Sequence, residues 1–194
     1  GSVNRLGEIV FAKTCHFLHN YNITQMGMRC IDVNLSVEQC EQEHLADRYI
    51  HIMKEFCTDP SQINLEITET ASIKTRKNML KNMEKLIAYG VEFSLDDFGN
   101  GESNLNYIVD MPIQVVKFDY DMTQAYFQNR KAKSVMNAAK EMIHDTGLKI
   151  VSEGVETKEQ AEVLSSSIDF LQGYYFAKPM PENEFLAFIK KQQC

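Results

Sequence analysis

Apolar residues recur along this chain in two alternating rhythms. From Leu6 to Tyr21, Leu6, Ile9, Val10, Phe17 and Leu18 fall at helical spacing, which predicts a helix buried on that face. Arg29 to Leu35 then alternates, with Ile31, Val33 and Leu35 on one side, the period of a strand. Ser36 is placed to cap a following helix that buries Leu45, Tyr49, Ile52, Met53 and Phe56 and ends near Asp59-Pro60. The same two-beat unit repeats to the end. Strands are predicted over 63–69, 91–97, 115–119, 149–155 and 169–174. Helices are predicted over 74–89 and 122–146, as a short turn at 105–109, over 158–165 and from Glu182, where Phe185, Leu186 and Ile189 face inward. Strands alternating with helices predict a parallel α/β sheet, either doubly wound and open or most of a (β/α) barrel.

Sorting each strand by parity sharpens this. On each strand the less apolar face carries a polar residue near the C-terminal end: Asn34, Glu66, Asp96, Lys117, Glu153 and Gln172. Sites of parallel α/β folds lie at the carboxyl ends of their strands. Six polar groups converging there would be costly unless something partners them. One answer is a self-satisfied polar network in which Lys117 neutralises an acid. The other is a cation: carboxylates with an amide oxygen suit Mg²⁺ or Mn²⁺ better than zinc, and no His or Cys is placed to join them. In that second reading, Lys117 orients or deprotonates a water or neutralises a phosphate, and the chemistry is metal-assisted hydrolysis of a phosphoester. The stretch Ser94-Leu95-Asp96-Asp97-Phe98-Gly99-Asn100-Gly101 is the centre of this pattern, with two adjacent acids running into a glycine loop.

Composition narrows the partners. The 194 residues fit one domain, and a net charge of −7 argues against binding a DNA or RNA polymer. No stretch is long and apolar enough to span a membrane, so no direct membrane contact is expected. The five cysteines, at 15, 30, 40, 57 and 194, show no paired spacing and read as reduced thiols of a cytoplasmic protein. Gly1-Ser2 reads as an expression scar.

Six motifs in order resemble the EAL-domain family of cyclic di-GMP phosphodiesterases. They are Val33-Asn34-Leu35-Ser36, Leu65-Glu66-Ile67-Thr68-Glu69, Leu95-Asp96-Asp97-Phe98-Gly99, Val116-Lys117-Phe118-Asp119, Ser152-Glu153-Gly154-Val155-Glu156-Thr157 and Gln172-Gly173-Tyr174-Tyr175-Phe176-Ala177-Lys178-Pro179. The resemblance implies a TIM-like (β/α) barrel that hydrolyses cyclic di-GMP to linear pGpG with Mg²⁺ or Mn²⁺, in bacterial second-messenger signalling. It implies Asn34, Glu66, Asp96, Asp97 and Glu153 as metal ligands, with Lys117 and Gln172 at the attacking water. Glu69 would steady the loop containing Gly99 and Gly101, and Glu156 would lie behind the site. The Glu-Ala-Leu motif itself is absent, and residues 3–194 correspond to a partial domain whose first two strands, with one metal-binding Glu, are missing. The implied consequences are impaired turnover by this chain, in a parent that is an active enzyme, and self-association as a homodimer or by strand exchange. The loop reads Gly99-Asn100-Gly101-Glu102-Ser103-Asn104, where the family has an aromatic after the second Gly and a second Ser. In the family that loop couples metal binding to dimerisation. The alternative implied by the altered loop is a degenerate module that binds cyclic di-GMP or a protein partner without turnover.

Overall fold

The computed structural model describes residues 2–68, 77–100 and 105–192. Its centre is one sheet of six parallel strands: β1 (Ile31–Asn34), β2 (Ile63–Thr68), β3 (Glu92–Phe98), β4 (Val115–Phe118), β5 (Lys149–Ser152) and β6 (Phe170–Leu171). They lie side by side in chain order. That order decides between the two architectures the sequence leaves open. A doubly wound sheet reverses its strand order at a switch point, whereas a barrel adds each strand beside the last. The sheet is therefore an open part of a TIM-like barrel, with β1 and β6 as edges among the described residues.

Helices surround the sheet. They are α1 (Ser2–Asn20), α2 (Val37–Cys40), α3 (Leu45–Glu55), α4 (Lys77–Tyr89), α5 (Asn106–Asp110), α6 (Tyr120–Gln128), α7 (Arg130–Asp145), α8 (Lys158–Leu164) and α9 (Glu182–Gln192). The core between the layers is built from the residues of strand parity opposite to the polar ring: Val33, Leu65, Ile67, Phe93, Leu95, Val116, Phe118 and Ile150 are all buried. None of the helices in the described residues is long and apolar enough to cross a membrane.

The structure corrects several sequence expectations. In α1 the buried residues are Phe11, Cys15 and Leu18, while Leu6 (61% exposed), Ile9 and Val10 face out. The helix carries two apolar stripes, and the one that can stack Phe11 on Tyr49 of α3, with ring centroids 3.9 Å apart, is the one that packs. The predicted helix after Ser36 is two helices. Asn82 of α4 donates to the carbonyls of Cys40 and Gln42 and accepts from the Ala46 amide, capping both sides of the break. The predicted helix 122–146 is also two, divided at Asn129, whose side chain accepts from the Lys131 amide to start α7. In α9, Phe185, Leu186 and Ile189 are only half-buried, with Phe185 resting near Phe17 of α1. The first residues of the predicted helix 74–89 lie outside the described residues.

Candidate functional site

The site is shaped by an irregularity in β3. Leu95 pairs with Val116 and Phe98 with Phe118, so Asp96 and Asp97 together oppose Lys117 alone. This is a β-bulge, a device that re-aims side chains at a sheet's end. The extra residue is Asp97, held at φ +58, a left-handed conformation that aspartate tolerates better than most residues. The bulge resets the parity. Phe98 returns to the outer face and packs on Phe118, ring centroids 5.9 Å apart, while Asp96 points inward. Simple alternation would have sent Phe98 inward with Asp96.

Lys117 is the hub. Its side chain is 4% exposed, and its Nζ lies 2.5 Å from Glu66 Oε1, 2.6 Å from Glu153 Oε1 and 3.4 Å from Asp96 Oδ1. Four strands, β2 to β4 and the end of β5, thus deliver one charge each to one point. Burial pushes the Glu66 carboxyl up to about 7, against the pull of the Lys117 charge. Burial alone would lower the Lys117 pKa; the Glu66 charge and the hydrogen bonds that Lys117 donates to Glu153 and Glu66 more than offset it, and the ammonium stays charged. Asp97 is also raised, first by desolvation and then by the neighbouring charges of Asp96 and Asp119.

Not all of the other expected residues sit beside this hub. Asn34 is exposed on edge strand β1, beside Glu66 in register. Gln172 is exposed just past β6 and lines, with Lys117, Asp32, Asn64, Val115 and Val151, a cavity of about 760 Å³ inside the sheet's curve. The main chain of Gln172 is tied on both sides, its N–H donating to Ser152 O and its carbonyl accepting from the Val155 amide. Next to it, Gly173 passes so close to Val155 that a Cβ would fall 2.1 Å from that residue's carbonyl oxygen. Glu156 is exposed and accepts a 3.4 Å hydrogen bond from the Tyr120 hydroxyl, away from the hub. Gly99 follows Phe98 at the exposed start of the loop. Glu69 and Gly101, with Glu102, Ser103 and Asn104, lie outside the described residues.

Sequence reasoning did not single out the layer beneath. Asn64, 5% exposed, donates to Asp32 Oδ1 (2.8 Å) and Ser94 Oγ (2.9 Å), forming a polar floor under the carboxylates. These three share the parity of Asn34, Glu66 and Asp96 one step earlier on their strands, which is the signal that could have found them.

The donor set can be tested against a divalent cation. Asp96 Oδ1 is buried and has no hydrogen-bond partner, its approach to Lys117 lacking hydrogen-bond alignment. Three carboxylates facing one ammonium also leave excess negative charge in a poorly solvated place. Both observations fit a hard cation bound through oxygen. No three Asp, Glu, His or Cys side chains among the described residues are already disposed as a ligand set. Lys117 stands among the carboxylates instead.

Comparison with known proteins identifies the family. A family model described as EAL domain matches residues 1–179. Oxygen sensor protein DosP of Escherichia coli is 29% identical over 95% of this chain and 23% of its own length. Cyclic di-GMP phosphodiesterase RocR of Pseudomonas aeruginosa is 32% identical over 79% of this chain and 39% of its own. The chain therefore spans well under half the length of these curated relatives. Among solved structures, the PaMucR phosphodiesterase in complex with c-di-GMP superposes with a TM-score of 0.85 at 30% identity, covering 95% of this chain and 75% of that one.

Proposed function

The chain belongs to the EAL domain family, and on that premise we propose that it is the core of a cyclic di-GMP phosphodiesterase domain, residues 3–194, that opens the cyclic dinucleotide to linear pGpG. The observation that carries this is the convergence of Glu66, Asp96 and Glu153 on Lys117 at the carboxyl ends of their strands. Support comes from RocR, named as a cyclic di-GMP phosphodiesterase, and from the c-di-GMP complex of PaMucR.

In this reading Asn34, Glu66, Asp96, Asp97 and Glu153 hold Mg²⁺ or Mn²⁺. A cation there lowers the pKa of a bound water and polarises a phosphoryl oxygen. The protein's own groups do the rest. Lys117, fixed by its buried stem, would present Nζ–H to the attacking water or to a phosphate oxygen in the cavity. Gln172 offers an amide at the cavity wall to orient the same water. The apolar lining, Val115 and Val151 among it, excludes bulk solvent and strengthens these interactions. We place the protein in the cytoplasm, where the four described cysteines, all free, stay reduced. Among the described residues β1 and β6 each have an unpaired edge, which favours self-association, by pairing or by strand exchange.

Lys117's engagement with the carboxylates, with no ready ligand set among the described residues, favours one second reading: a module that binds cyclic di-GMP without turning it over. The deciding experiment is conversion of cyclic di-GMP to pGpG with Mn²⁺ and with Mg²⁺, by this chain and by its full-length parent, alongside Asp96→Asn. Product from the parent that disappears in Asp96→Asn supports the enzyme. Tight binding with no product from either protein supports the binder. Elution of both proteins as monomers in light scattering would remove the self-association.

A further inference from the structure

The loop after β5 carries Glu153, and it is clamped by residues outside the ring. Its Gly154 has φ +71 and lies under the ring of Tyr120, where a Cβ would come within 2.4 Å of the ring. On the buried side, the Thr123 and Ser152 hydroxyls are hydrogen-bonded at 2.8 Å, both residues fully buried. On the other side, Gln124 Nε2 donates to the Gly154 carbonyl at 2.6 Å. Gln124 is itself fixed: its Oε1 accepts from Gln160 Nε2 at 3.1 Å. Gln160 Oε1 in turn accepts from the amides of Glu156 (2.8 Å) and Thr157 (3.2 Å), closing the far end of the loop. So α6 grips the residue before Glu153 through Thr123 and the residue after it through Gln124.

We propose that Gln124 is a positioning residue for Glu153: it sets the carboxylate's aim through the Gly154 carbonyl and, through Gln160, couples it to the start of α8. The side chain touches neither the cavity nor the hub, so its effect passes through the loop backbone. Groups that orient a ligand from behind change metal affinity about 10- to 100-fold when removed, with the ligand itself intact. The inference rests on the reading of Glu153 as a cation ligand.

The test measures Mn²⁺ binding by calorimetry on the full-length protein, for Gln124→Leu, Gln124→Glu, Glu153→Gln and the control Gln128→Leu on the same helix. Gln124→Glu keeps the acceptor for Gln160, loses the donor to Gly154 and adds a negative charge, whereas Gln124→Leu removes both hydrogen bonds without a charge. Both Gln124 variants are expected to weaken Mn²⁺ about tenfold, with a melting temperature close to the parent's, faster amide exchange at Glu156 and Thr157, and turnover recovered at saturating Mn²⁺. Gln128→Leu is expected to change nothing. Unchanged Mn²⁺ affinity in Gln124→Glu, while Glu153→Gln binds more weakly, overturns the positioning role alone. Unchanged affinity in Glu153→Gln, or no Mn²⁺ binding by the parent, overturns the ligand reading and this inference with it. Should Gln124→Leu fail to fold, Gln124→Glu decides.

Discussion

Replacing Lys117 by methionine isolates what its charge does. Methionine keeps most of the buried stem and removes the ammonium, so the loss is electrostatic. Glu66, Asp96 and Glu153 would then face one another without a cation. Breaking a buried ion pair by removing one partner costs about 3–5 kcal/mol. We expect that range here, at pH 8 in chelator, by urea denaturation. The penalty is not uniform in pH. The Glu66 carboxyl is already raised from about 4.5 to about 7 in the folded protein. A raised folded-state pKa means that the folded chain holds the proton more tightly. Its contribution is fully present below about 4.5 and is lost as pH rises through about 7. Without the lysine the Glu66 carboxyl rises further, so the variant's deficit should shrink markedly at pH 5.

A divalent cation provides the complementary arm. If the carboxylates are cation ligands, Mg²⁺ or Mn²⁺ at about 100 times its dissociation constant should return about 2.7 kcal/mol to Lys117→Met. The same addition should stabilise the parent less, because there it competes with the ammonium. Two outcomes would sink this reasoning. If Lys117→Met is as stable as the parent in chelator at pH 8, the lysine is not neutralising the acids. If the deficit appears but neither cation reduces it, the carboxylates form a structural network and nothing more.

Other expectations follow from single contacts. Glu66→Gln removes a carboxyl whose charge is disfavoured, so the cation-free protein should lose less stability between pH 4.5 and 7 than the parent does, by up to about 3 kcal/mol, while its Mn²⁺ affinity falls; a parallel pH curve counts against this. Gly173→Ala drives a Cβ onto the Val155 backbone and should cost about 3 kcal/mol or prevent folding, seen in the denaturation midpoint. Thr123→Val leaves the Ser152 hydroxyl buried and unpaired, a loss of about 1–3 kcal/mol. Adding Ser152→Ala should recover part of it; a double variant worse than either single one would contradict that pairing.

The sheet and its polar ring were legible because both follow from strand parity. Of the six residues in the ring, Glu66, Asp96, Lys117 and Glu153 meet while Asn34 and Gln172 stay exposed, and the consecutive strand order then chose the barrel. What local pattern could not show was set by distant partners. Asn82 divides α2 from α3 from across the fold, and α1 buries the stripe that meets Tyr49, not the one with more aliphatic residues. The bulge at Asp97 was hidden for a similar reason. Nothing in Leu95-Asp96-Asp97-Phe98 reveals that two residues share one partner until β4 lies alongside. The braces from Gln124 and Gln160 were equally silent, although Thr157-x-x-Gln160 is a capping-box spacing that marks where α8 begins.

The sequence posed a choice between a satisfied polar network and a cation site, and the contacts of Lys117 bear on both. Acids from β2, β3 and the end of β5 must be compensated, and a single lysine from β4, the strand opposite the bulge, reaches all three. That compensation is incomplete: Asp96 Oδ1 stays unpartnered and Glu66 is pushed toward neutrality. A network evolved only for stability would be better served by closing those gaps or by apolar replacements, since buried ion clusters rarely outperform them. The residual imbalance is what a divalent cation would correct, and its arrival would release the ammonium toward whatever occupies the cavity. The same lysine thus neutralises the acids while lining the cavity in which a ligand would sit.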